Sequence, residues 1–586
     1  MRLIEIRLYE GPNVYRLLPV VKVEVAIGRT RAWHGARTDG ESALVHLGRT
    51  VPAREWPDGV ADIAAWARRL RAAHGEHAGP VAVHRASDAG RWIITWPWSG
   101  AERSRSIAAA AFDLAARSVS SGRRIRLTNG QTATVARWDA RIAGATTEGP
   151  GWIRDDARRL PTVSVTGTNG KSTVTRLITH ILLHAGRHVG TTTSDGILVD
   201  ERLVDAGDWT GPGGAAAVLR RTDVDVAVLE TARGGLVQRG MGYESNDASV
   251  FTNISSDHLD LGGIHTLAEL AEVKATVCRI TRPTGCVVLN ADDPLVAAVA
   301  RRMRASVSYF SLDPDLAPGL GRHRRAGGRA HVLRRGWILE WNGAEETPVV
   351  AIADVPVALG GLARHNVANA LAAAGGARAM GASVEEIADG LRDFRPSADL
   401  SPGRMNLFLL GRCTVIVDFA HNEAGTEAIL DVARAVGARA DGGRAPVTAI
   451  IGTAGDRPDD TLRGIGRIAA GLAERVVLKE TRSYLRGRPR DQVIGLLREG
   501  IAEGGMDPAT VPVYETEPEA LEAVLAGTGA PSGGMGGEDT PRVVVLFCHE
   551  AREEVFYLLT RLGARPLDAT DGLRKGASRL ADQAVR

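Results

Sequence analysis

VSVTGTNGKSTVTRL, at residues 163–177, decides the fold of the central part of this chain. A short apolar run is followed by a glycine-containing turn and then by a stretch with the spacing of a helix. This order places backbone N–H groups and the positive end of a helix where a polyphosphate binds. The spacing is GxxGKS and not the longer GxxxxGKS/T, because Val165 stands at the place of the first glycine. The strand before and the helix after it still favour nucleotide binding over a structural glycine turn.

The residues of this phosphate loop have expected roles. Lys171 would bridge the terminal phosphates of the nucleotide, and the hydroxyl of Ser172 would bind Mg²⁺. The predicted nucleotide-binding residues of the loop are Gly167, Thr168, Asn169, Gly170, Lys171, Ser172 and Thr173.

Short β-branched runs on both sides of the loop are typical of strands that are covered on both faces of a parallel sheet. They lie at 162–165, 224–229, 248–253 and 285–290. Because helical stretches alternate with them, we predict an α/β fold in which residues 157–397 form a doubly wound, parallel-sheet domain with a P-loop.

Two further domains and a tail are expected in a chain of 586 residues. Residues 1–150 combine alternating strand-like runs with an alanine-rich helical stretch, which indicates a small α+β domain. Residues 398–570 repeat the alternation of strands and helices and predict a second, smaller Rossmann-like sheet. Residues 571–586 form a polar tail. The Arg/Gly-rich segment 317–336 is interpreted as a solvated surface hairpin.

Composition argues against several classes of protein. The formal net charge of +3 is near neutral for this length, and the basic residues are dispersed among acids, so no nucleic-acid partner is expected. The four cysteines show no metal-binding or disulfide spacing, which favours free thiols in a reducing compartment. The N-terminal residues lack an apolar run long enough for a signal peptide or a membrane span. We therefore expect a cytoplasmic protein with no membrane partner.

Three polar residues follow the predicted strands on the side of the phosphate loop. Glu230 ends one strand, Asn253 ends the next, and His258 lies in the loop that follows. In an open parallel sheet the ligand crevice lies beyond the carboxyl ends of the strands. Each residue alone is most often solvated, but their shared placement favours a metal or nucleotide site.

Lys274 is unusual because only five of the 72 basic residues are lysine. It follows His258 by sixteen residues, on a predicted helix, and an ordinary exposed lysine is the alternative interpretation. A lysine amine can lose its proton and react with CO₂ to give a carbamate, whereas a guanidinium cannot be deprotonated in a protein. A carbamate supplies anionic oxygen, which suits Mg²⁺.

Several segments together resemble the Mur ligase superfamily, the ATP-dependent amide ligases of cell-wall peptide and folylpolyglutamate synthesis. They are VTGTNGKST, LETARGG, TNISSDHLD, VLNADDP and GLARHNVANALAA. Within the superfamily, the segments at 189–200, 226–243 and 255–277 resemble the Mur-ligase-like module of cyanophycin synthetase, and EIRLYEGPNVY at 5–15 resembles its N-terminal domain. That enzyme carries an ATP-grasp domain between these parts. Here only a short connection separates residue 122 from the phosphate loop, so the resemblance implies the amide-forming module without the backbone-extending domain.

The resemblance implies ATP and two Mg²⁺ ions as cofactors. Ser172 and Glu230 would hold one ion between the β- and γ-phosphates, while His258 and a carbamylated Lys274 would hold a second ion facing the acceptor carboxylate. Lys171, Glu230, His258 and Lys274 are thus the expected catalytic residues.

Further segments match those that contact the nucleotide in the family. Asn366, beside His365, would contact adenine. Arg404, Asp418 and His421, with Asn422, lie in segments where the C-terminal domain closes on ATP, and Asp418 would take the ribose hydroxyls. Asn253 completes the predicted nucleotide set.

The amine site is expected in the C-terminal domain, where cations and acids follow the predicted strands. The residues are Asp456, Asp459, Asp460, Lys479, Glu480, Arg482, Arg486 and Arg488. They would hold an amino acid by its α-carboxylate and a cationic side chain. A solvated loop of mixed charge is an equally good interpretation.

The leading prediction is an ATP- and Mg²⁺-dependent carboxylate–amine ligase that forms an acyl-phosphate intermediate. Its partners would be an amino-acid or peptide carboxylate and an amine. Alternatives are ligation onto a different backbone made by a partner, a nucleotide-binding regulatory or scaffold protein that has lost chemistry, and a small-molecule kinase. A homo-oligomer is an open alternative to a monomer, because related enzymes that act on polymers are often oligomeric.

Overall fold

The computed structural model describes residues 1–27, 49–76, 79–121, 133–256, 259, 263–398, 400–438, 443–526 and 541–567. Three β-sheets of four, eleven and seven strands lie in these ranges. Among the helices described, none is long and apolar enough to cross a membrane. The predicted tail, 571–586, and most of the glycine-rich segment 526–541 lie outside the described residues.

The first sheet is antiparallel and has the strand order β1–β2–β4–β3. Its strands are β1 (Arg2–Tyr9), β2 (Val20–Ala26), β3 (Ala82–Arg85) and β4 (Arg91–Pro97). The helices of this region are α1 (Asp58–Ala73), α2 (Ala101–Ser121) and α3 (Ala133–Ala143). Val23 and Ile94 of the sheet pack in one core with Ile63 of α1 and Ile107 of α2. The region therefore has the α+β architecture that its sequence predicts.

The second sheet has seven parallel strands at its centre and antiparallel strands at both edges. The strands are β5 (Thr162–Thr166), β6 (Val189–Thr192), β7 (Gly196–Val199), β8 (Arg202–Ala206), β9 (Val226–Glu230), β10 (Asn246–Phe251), β11 (Thr281–Asn290), β12 (Ser306–Ser311), β13 (Arg329–Arg334), β14 (Trp337–Asn342) and β15 (Glu345–Ala351). Their order is β15–β14–β13–β12–β11–β10–β5–β9–β6–β7–β8. The phosphate-loop strand β5 thus lies between β9 and β10.

Helices cover both faces of this sheet. They are α4 (Lys171–His184), α5 (Pro212–Leu219), α6 (Arg233–Gln238), α7 (Leu267–Arg279), α8 (Pro294–Ala297), α9 (Leu320–Arg325), α10 (Arg364–Ala379) and α11 (Val384–Asp393). The apolar residues of α4, α10 and α11 share one core with Val163 and Val228, whereas α5 and α7 pack with Ala227 and Leu229. Because neighbouring residues of β9 enter opposite cores, the prediction of a doubly wound parallel sheet is confirmed.

The interpretation of residues 317–336 as a solvated hairpin is wrong for most of the segment. The chain forms α9 and then β13, which pairs in parallel with β12 inside the large sheet. Ala330, His331 and Val332 are consecutive residues of β13 and are all buried. The many arginines on either side obscured this short buried run, which is typical of a strand covered on both faces.

The third sheet has the order β20–β19–β18–β21–β17–β16–β22 and is parallel from β20 to β17. Its strands are β16 (Asn406–Leu410), β17 (Cys413–Asp418), β18 (Val447–Ile451), β19 (Arg475–Lys479), β20 (Val513–Tyr514), β21 (Arg542–Phe547) and β22 (Arg565–Pro566). The helices are α12 (Glu423–Val436), α13 (Asp459–Leu472), α14 (Arg490–Glu503), α15 (Glu517–Leu525) and α16 (Arg552–Arg561). This is the second open α/β sheet that the sequence predicts.

Candidate functional site

The phosphate loop joins β5 to α4 and requires two of its glycines. Gly167 and Gly170 have φ angles of 145° and 83°, which L-residues with side chains rarely adopt. A Cβ atom on Gly167 would lie 1.8 Å from Thr252 Oγ1, and one on Gly170 would lie 2.2 Å from Asn369 Oδ1. The loop is therefore held by its own backbone and by neighbours from two other segments.

Asn253 fixes this loop through both ends of its side-chain amide. Its Oδ1 accepts a hydrogen bond of 2.9 Å from the N–H of Asn169, and its Nδ2 donates to the Asn169 carbonyl at 3.0 Å. The N–H of Thr168 also donates to the Asn253 carbonyl at 2.9 Å. The structure thus places Asn253 as a brace of the loop backbone, in addition to the nucleotide contact that the sequence predicts.

Glu230 lies at the carboxyl end of β9, beside the start of α4, and is 4% exposed. Among the described residues its Oε2 has no hydrogen-bond partner. Burial raises the pKa of Glu230, and the nearby charges of Lys171 and Arg404 offset only part of that effect. A buried carboxylate without a full set of partners is costly unless a cation joins it.

The residues beside Glu230 fit a magnesium ion. Mg²⁺ takes oxygen ligands and binds proteins through one or two side chains plus phosphate. Ser172 supplies a hydroxyl close enough to influence the Glu230 carboxyl, and the unpartnered Glu230 oxygen supplies the negative charge. Lys171 is held at the same loop by a hydrogen bond of 2.9 Å from its Nζ to the Thr168 carbonyl.

Lys274 is buried on α7 and is directed at the phosphate loop. Its Nζ donates a hydrogen bond of 2.6 Å to the carbonyl of Gly167, and the residue is 4% exposed. The helix begins with a capping box between Thr266 and Glu269, which fixes the position of its first turn. The alternative of an ordinary exposed lysine is therefore wrong. His258, its predicted partner, lies outside the described residues.

A cluster of arginines around Asp195 was not predicted from the sequence. Asp195 accepts hydrogen bonds from Arg176 at 2.9 Å and from Arg552 at 2.6 Å. Burial raises the pKa of Asp195, but the charges of Arg404 and Arg552 outweigh it and hold the pKa below its usual value. Arg552 belongs to α16 of the third sheet, so this cluster joins the two α/β sheets.

Arg404 extends the same cluster to the predicted metal ligand. Its Nη2 lies 3.5 Å from Ser172 Oγ and 3.4 Å from Ser194 Oγ. Its guanidinium also stacks over Phe419, 4.6 Å from the ring centroid. The predicted approach of Arg404 to the phosphate loop is thus present in the structure.

The loop that follows β17 reaches the phosphate loop from the other side. Asn422 Nδ2 donates to Asn169 Oδ1 at 2.9 Å, although the two residues are 253 positions apart. Asp418 accepts a hydrogen bond of 2.8 Å from the N–H of Met405, and burial raises its pKa. His421 Nδ1 bonds to the Phe419 carbonyl at 2.9 Å. Asn422 thus contacts the phosphate loop directly, and Asp418 lies near enough to Arg404 for its charge to offset part of the rise in pKa.

The His365–Asn366 pair lies in the first turn of α10, the helix that also carries Asn369. Asn366 is 4% exposed; its Nδ2 donates to the Val357 carbonyl at 3.1 Å, and its Oδ1 accepts from Asn369 at 3.0 Å. Burial lowers the pKa of His365 to about 4. Asn369, which contacts Gly170, is a functional neighbour that the sequence did not single out.

The predicted amine-site residues are largely paired with one another. Arg486 contacts Asp456 at 2.5 Å, and Arg488 contacts Asp459 at 2.6 Å. The Asp460 side chain is almost fully exposed. Mutual pairing in a partly solvated loop agrees better with the mixed-charge alternative than with preformed ligands for these residues.

Glu480 and Lys479 differ from that loop because both are buried. Glu480 pairs with Arg482 at 2.9 Å and Arg490 at 2.5 Å, beside a small pocket that Leu485 and Val493 also line. Lys479 instead donates to Glu517 at 2.6 Å and to His549 Nδ1 at 2.9 Å. Lys479 is therefore engaged inside the domain.

Comparison with known proteins gives matches over the two α/β regions. The family model of the Mur ligase middle domain matches residues 165–377, and that of the Mur ligase glutamate ligase domain matches residues 403–533. Together these matches span more than half of the 586 residues.

Curated relatives agree with these matches. The chain is 40% identical over 389 residues to a cyanophycin synthetase of Synechocystis sp. and 39% identical over 389 residues to one of Crocosphaera subtropica. Each alignment covers 66% of this chain and 42% of the relative, so the chain spans less than half the length of these synthetases. A UDP-N-acetylmuramoyl-L-alanyl-D-glutamate–2,6-diaminopimelate ligase of Alkalilimnicola ehrlichii is 30% identical over 352 residues, which is 59% of this chain and 66% of that protein.

The phosphate loop follows β5, and the two neighbouring strands end near Glu230 and Asn253. Arg404 and Asn422, from the region of the third sheet, reach this loop. Both regions match models of Mur ligase domains. The chain belongs to the Mur ligase family.

Proposed function

We propose that this protein is an ATP- and Mg²⁺-dependent ligase that joins a carboxylate to an amine. The observation that carries the proposal is the buried Glu230 oxygen, which has no hydrogen-bond partner within the described part of the chain and lies beside Ser172 and the phosphate loop. The names of the relatives, which are ligases and cyanophycin synthetases, support the same class of reaction.

The chain's own residues would neutralise the charge that opposes the first step. An acceptor carboxylate and the γ-phosphate repel each other because both are anions. Lys171 and the N–H groups at the start of α4 surround the phosphates, and Arg404 adds a third source of positive charge. Bound Mg²⁺, held by Ser172 and Glu230, would act as a Lewis acid on the phosphate oxygens.

With this charge balanced, the acceptor carboxylate attacks the γ-phosphate in line. A bond forms between carboxylate oxygen and phosphorus, the bond to the bridging oxygen breaks, and ADP leaves. The neutral amine nitrogen then attacks the acyl carbon, the bond from that carbon to the phosphate oxygen breaks, and the departing phosphate takes up the proton that the nitrogen loses. The amide product therefore requires both a carboxylate and an amine in the crevice.

The contacts between the two sheets would exclude water from this acyl phosphate. Arg552 bonds to Asp195, and Asn422 bonds to Asn169, so the third sheet covers the phosphate loop. Water would otherwise hydrolyse the intermediate. These pairs are suited to a closed state that forms before the chemistry proceeds.

A cavity beside Glu230 is our candidate for the acceptor carboxylate. It is a small pocket, partly open to solvent, and is lined by Thr210, Gly211, Glu230, Leu236 and Met241, among others. The N-terminal domain adjoins it, because the N–H of Met241 donates to the Pro12 carbonyl at 2.8 Å. This contact supports an anchoring role for the N-terminal domain near the acceptor.

The test is ADP release measured with Mg²⁺ over a panel of amino-acid and peptide carboxylates and amines. Hydroxylamine is added to trap the acyl phosphate as a hydroxamate. We expect ADP release to require a carboxylate, and hydroxamate to form when the amine is omitted. ATP binding without acceptor-dependent turnover over a broad panel would favour a nucleotide-binding scaffold instead, and phosphorylated product without hydroxamate would favour a kinase.

Lys274 offers a second test, of the carbamate. We propose that the neutral Nζ of Lys274 forms a bond to the carbon of CO₂ and releases one proton to solvent. The resulting carbamate keeps one N–H for the Gly167 carbonyl and adds two oxygens for a metal ion. Lys274→Arg should bind ATP but lose most turnover, because a guanidinium forms no carbamate. Short carboxylic acids should partly restore turnover to Lys274→Ala. Full turnover in Lys274→Arg would rule the carbamate out.

A further inference from the structure

Two imidazoles and one carboxylate meet at the end of α4 that is remote from the phosphate loop. His180 and His184 are four residues apart on the helix, so their side chains lie on one face. Asp393, the last residue of α11, places Oδ2 at 3.4 Å from His180 Nε2 and 3.3 Å from His184 Nε2. One ligand atom from each of the three residues lies within 4.8 Å of the others.

The ring of His180 is oriented by a fourth residue. Its Nδ1 lies 2.8 Å from Glu201 Oε1, and because a carboxylate only accepts, this nitrogen carries the hydrogen. Nε2 is therefore the nitrogen that a cation would bind once the ring is neutral, and it faces Asp393 and His184. Although Nε2 is buried and the residue is 8% exposed, Nε2 has no hydrogen bond among the described residues. The histidine is thus held with one nitrogen satisfied and the other directed at the cluster.

We propose that His180, His184 and Asp393 bind a divalent cation of the zinc class, with Glu201 as the carboxylate that orients His180. Two imidazole nitrogens and one carboxylate oxygen are a common protein donor set for zinc. Ligating histidines typically donate their other N–H to a carboxylate, which is the role of Glu201 here. The fourth position faces solvent, because the side chains of His184 and Asp393 are 34% and 59% exposed. Water would complete a tetrahedron.

A simple histidine–carboxylate ion pair is the competing interpretation. It explains the contacts of both rings with Asp393. Burial lowers the pKa of His180, but Glu201 and Asp393 raise it above its usual value, as in an ion pair. The buried Nε2 of His180 still makes no hydrogen bond among the described residues. A cation satisfies both nitrogens and the carboxylate together. Because protons compete with the cation for both rings, binding is best measured at about pH 8.

This site is separate from the predicted magnesium ligands. Helix α4 has 14 residues, which places its end about 20 Å from Lys171 at roughly 1.5 Å per residue. The cation would fix the end of α11 to α4. The chain then leads to residue Leu400, whose carbonyl is bound by Arg176 of the same helix. We expect removal of the cation to lower the stability of the connection between α4 and α11. ADP release should persist without zinc.

The experiment is a titration of the full chain with Zn²⁺ alone, by calorimetry and by competition with a coloured chelator. His184→Ala and Asp393→Asn remove one ligand each, and Glu201→Gln removes only the orienting charge. The matched control is His188→Ala, since His188 is 69% exposed and bonds to Asp200 at 2.9 Å without a second imidazole.

We expect the wild type and the control to bind one more zinc ion than the ligand variants. Loss of a ligand should weaken binding by about 100-fold or more, and Glu201→Gln by about 10- to 100-fold. Zinc should also raise the thermal midpoint of the wild type and not that of His184→Ala.

Equal zinc stoichiometry and affinity in the wild type and His184→Ala would overturn the site, and so would a wild type that binds no zinc at micromolar concentration. The substituted side chains are partly exposed, and far-ultraviolet circular dichroism will show that the variants fold. Because the readout is zinc binding, failure here leaves the ligase proposal untouched.

Discussion

Glu230 and Glu517 are both buried glutamates near the carboxyl ends of parallel strands, yet their surroundings are opposite. Glu230, in the middle sheet, has one oxygen without a hydrogen-bond partner among the residues that the structure describes, and burial raises its pKa. Glu517, in the third sheet, accepts from Lys479 Nζ at 2.6 Å, from the N–H of His549 at 2.6 Å and from that of Ala551 at 2.8 Å. Burial raises the pKa of Glu517, but the charge of Lys479 and these hydrogen bonds lower it to about 2.

Glu230 therefore marks a site that needs a cation from solution, whereas the charge of Glu517 is already neutralised by other residues of the chain. The Glu517 cluster still reaches the crevice, through His549. Lys479 can only donate to His549 Nδ1, so His549 Nε2 carries the hydrogen and donates to the Ala420 carbonyl at 2.9 Å. Burial and the Lys479 charge hold the pKa of His549 well below its usual value. The neutral ring thus fixes the loop between Asp418 and Asn422.

The largest effect on stability should come from a substitution in the cluster of Lys479, Glu517 and His549, where the buried charges are paired. Glu517→Gln keeps the shape but leaves the Lys479 ammonium buried without a counter-charge, which should cost about 3–5 kcal/mol of stability. Calorimetric unfolding of the full chain will measure the loss in the C-terminal transition. Glu522→Gln, on the same helix, removes an exposed partner of Arg561 and should change stability by less than about 1 kcal/mol. Equal midpoints for the two variants would contradict the comparison.

Glu230→Gln should behave in the opposite way. Removal of a partly unpaired charge should leave the stability of the ligand-free protein unchanged or slightly higher. Acceptor-dependent ADP release should fall by about 100- to 1,000-fold, because the charge that holds Mg²⁺ is gone. Thermal unfolding and initial rates on the same preparation will decide; a destabilised variant with normal rates would show that Glu230 is a structural carboxylate.

The pH dependence of stability should also follow from Glu517. Because its pKa is lower in the folded protein than the ordinary value of 4.5, its contribution is present above about pH 4.5 and is lost as the pH falls toward about 2. The difference in thermal midpoint between the wild type and Glu517→Gln should therefore narrow between pH 6 and about pH 3.5. A constant difference over this range would mean that Glu517 acts through shape and not through charge.

The smallest effect should come from Asn422, where the region of the third sheet contacts the phosphate loop. Asn422 caps α12 by accepting from the N–H of Gly425 at 2.9 Å, and its Nδ2 bonds to Asn169. Asn422→Ala loses both contacts and should cost about 1 kcal/mol of stability, while Asn422→Asp keeps the cap. Both should raise the KM for ATP by less than about tenfold, as expected for one hydrogen bond. An unchanged KM in both variants would remove Asn422 from the crevice.

The placement of the central site could be predicted from local sequence because parallel strands end at one edge of a sheet. VSVTGTNGKST marks β5, and the polar residues after the apolar runs mark Glu230 and Asn253. The sheet order β10–β5–β9 places these strand ends side by side. The prediction was wrong for residues 317–336, where the arginine-rich composition obscured the short buried strand β13.

The partners of these residues could not be predicted, because they come from distant parts of the chain. Asp195 and Arg552 are 357 residues apart, and Lys274 meets Gly167 across 107 residues. The arginine cluster, the loop-bracing role of Asn253 and the pairing of Lys479 with Glu517 leave no local pattern in the sequence.

The sequence by itself determined the fold class, the phosphate loop and the polar strand ends, since periodicity and glycine turns act over a few residues. Only the tertiary structure decided which carboxylate is neutralised within the chain and which is left with an unpartnered oxygen. That difference depends on burial and on charges brought together by folding, because a buried carboxylate is stable only when opposite charge or hydrogen-bond donors surround it.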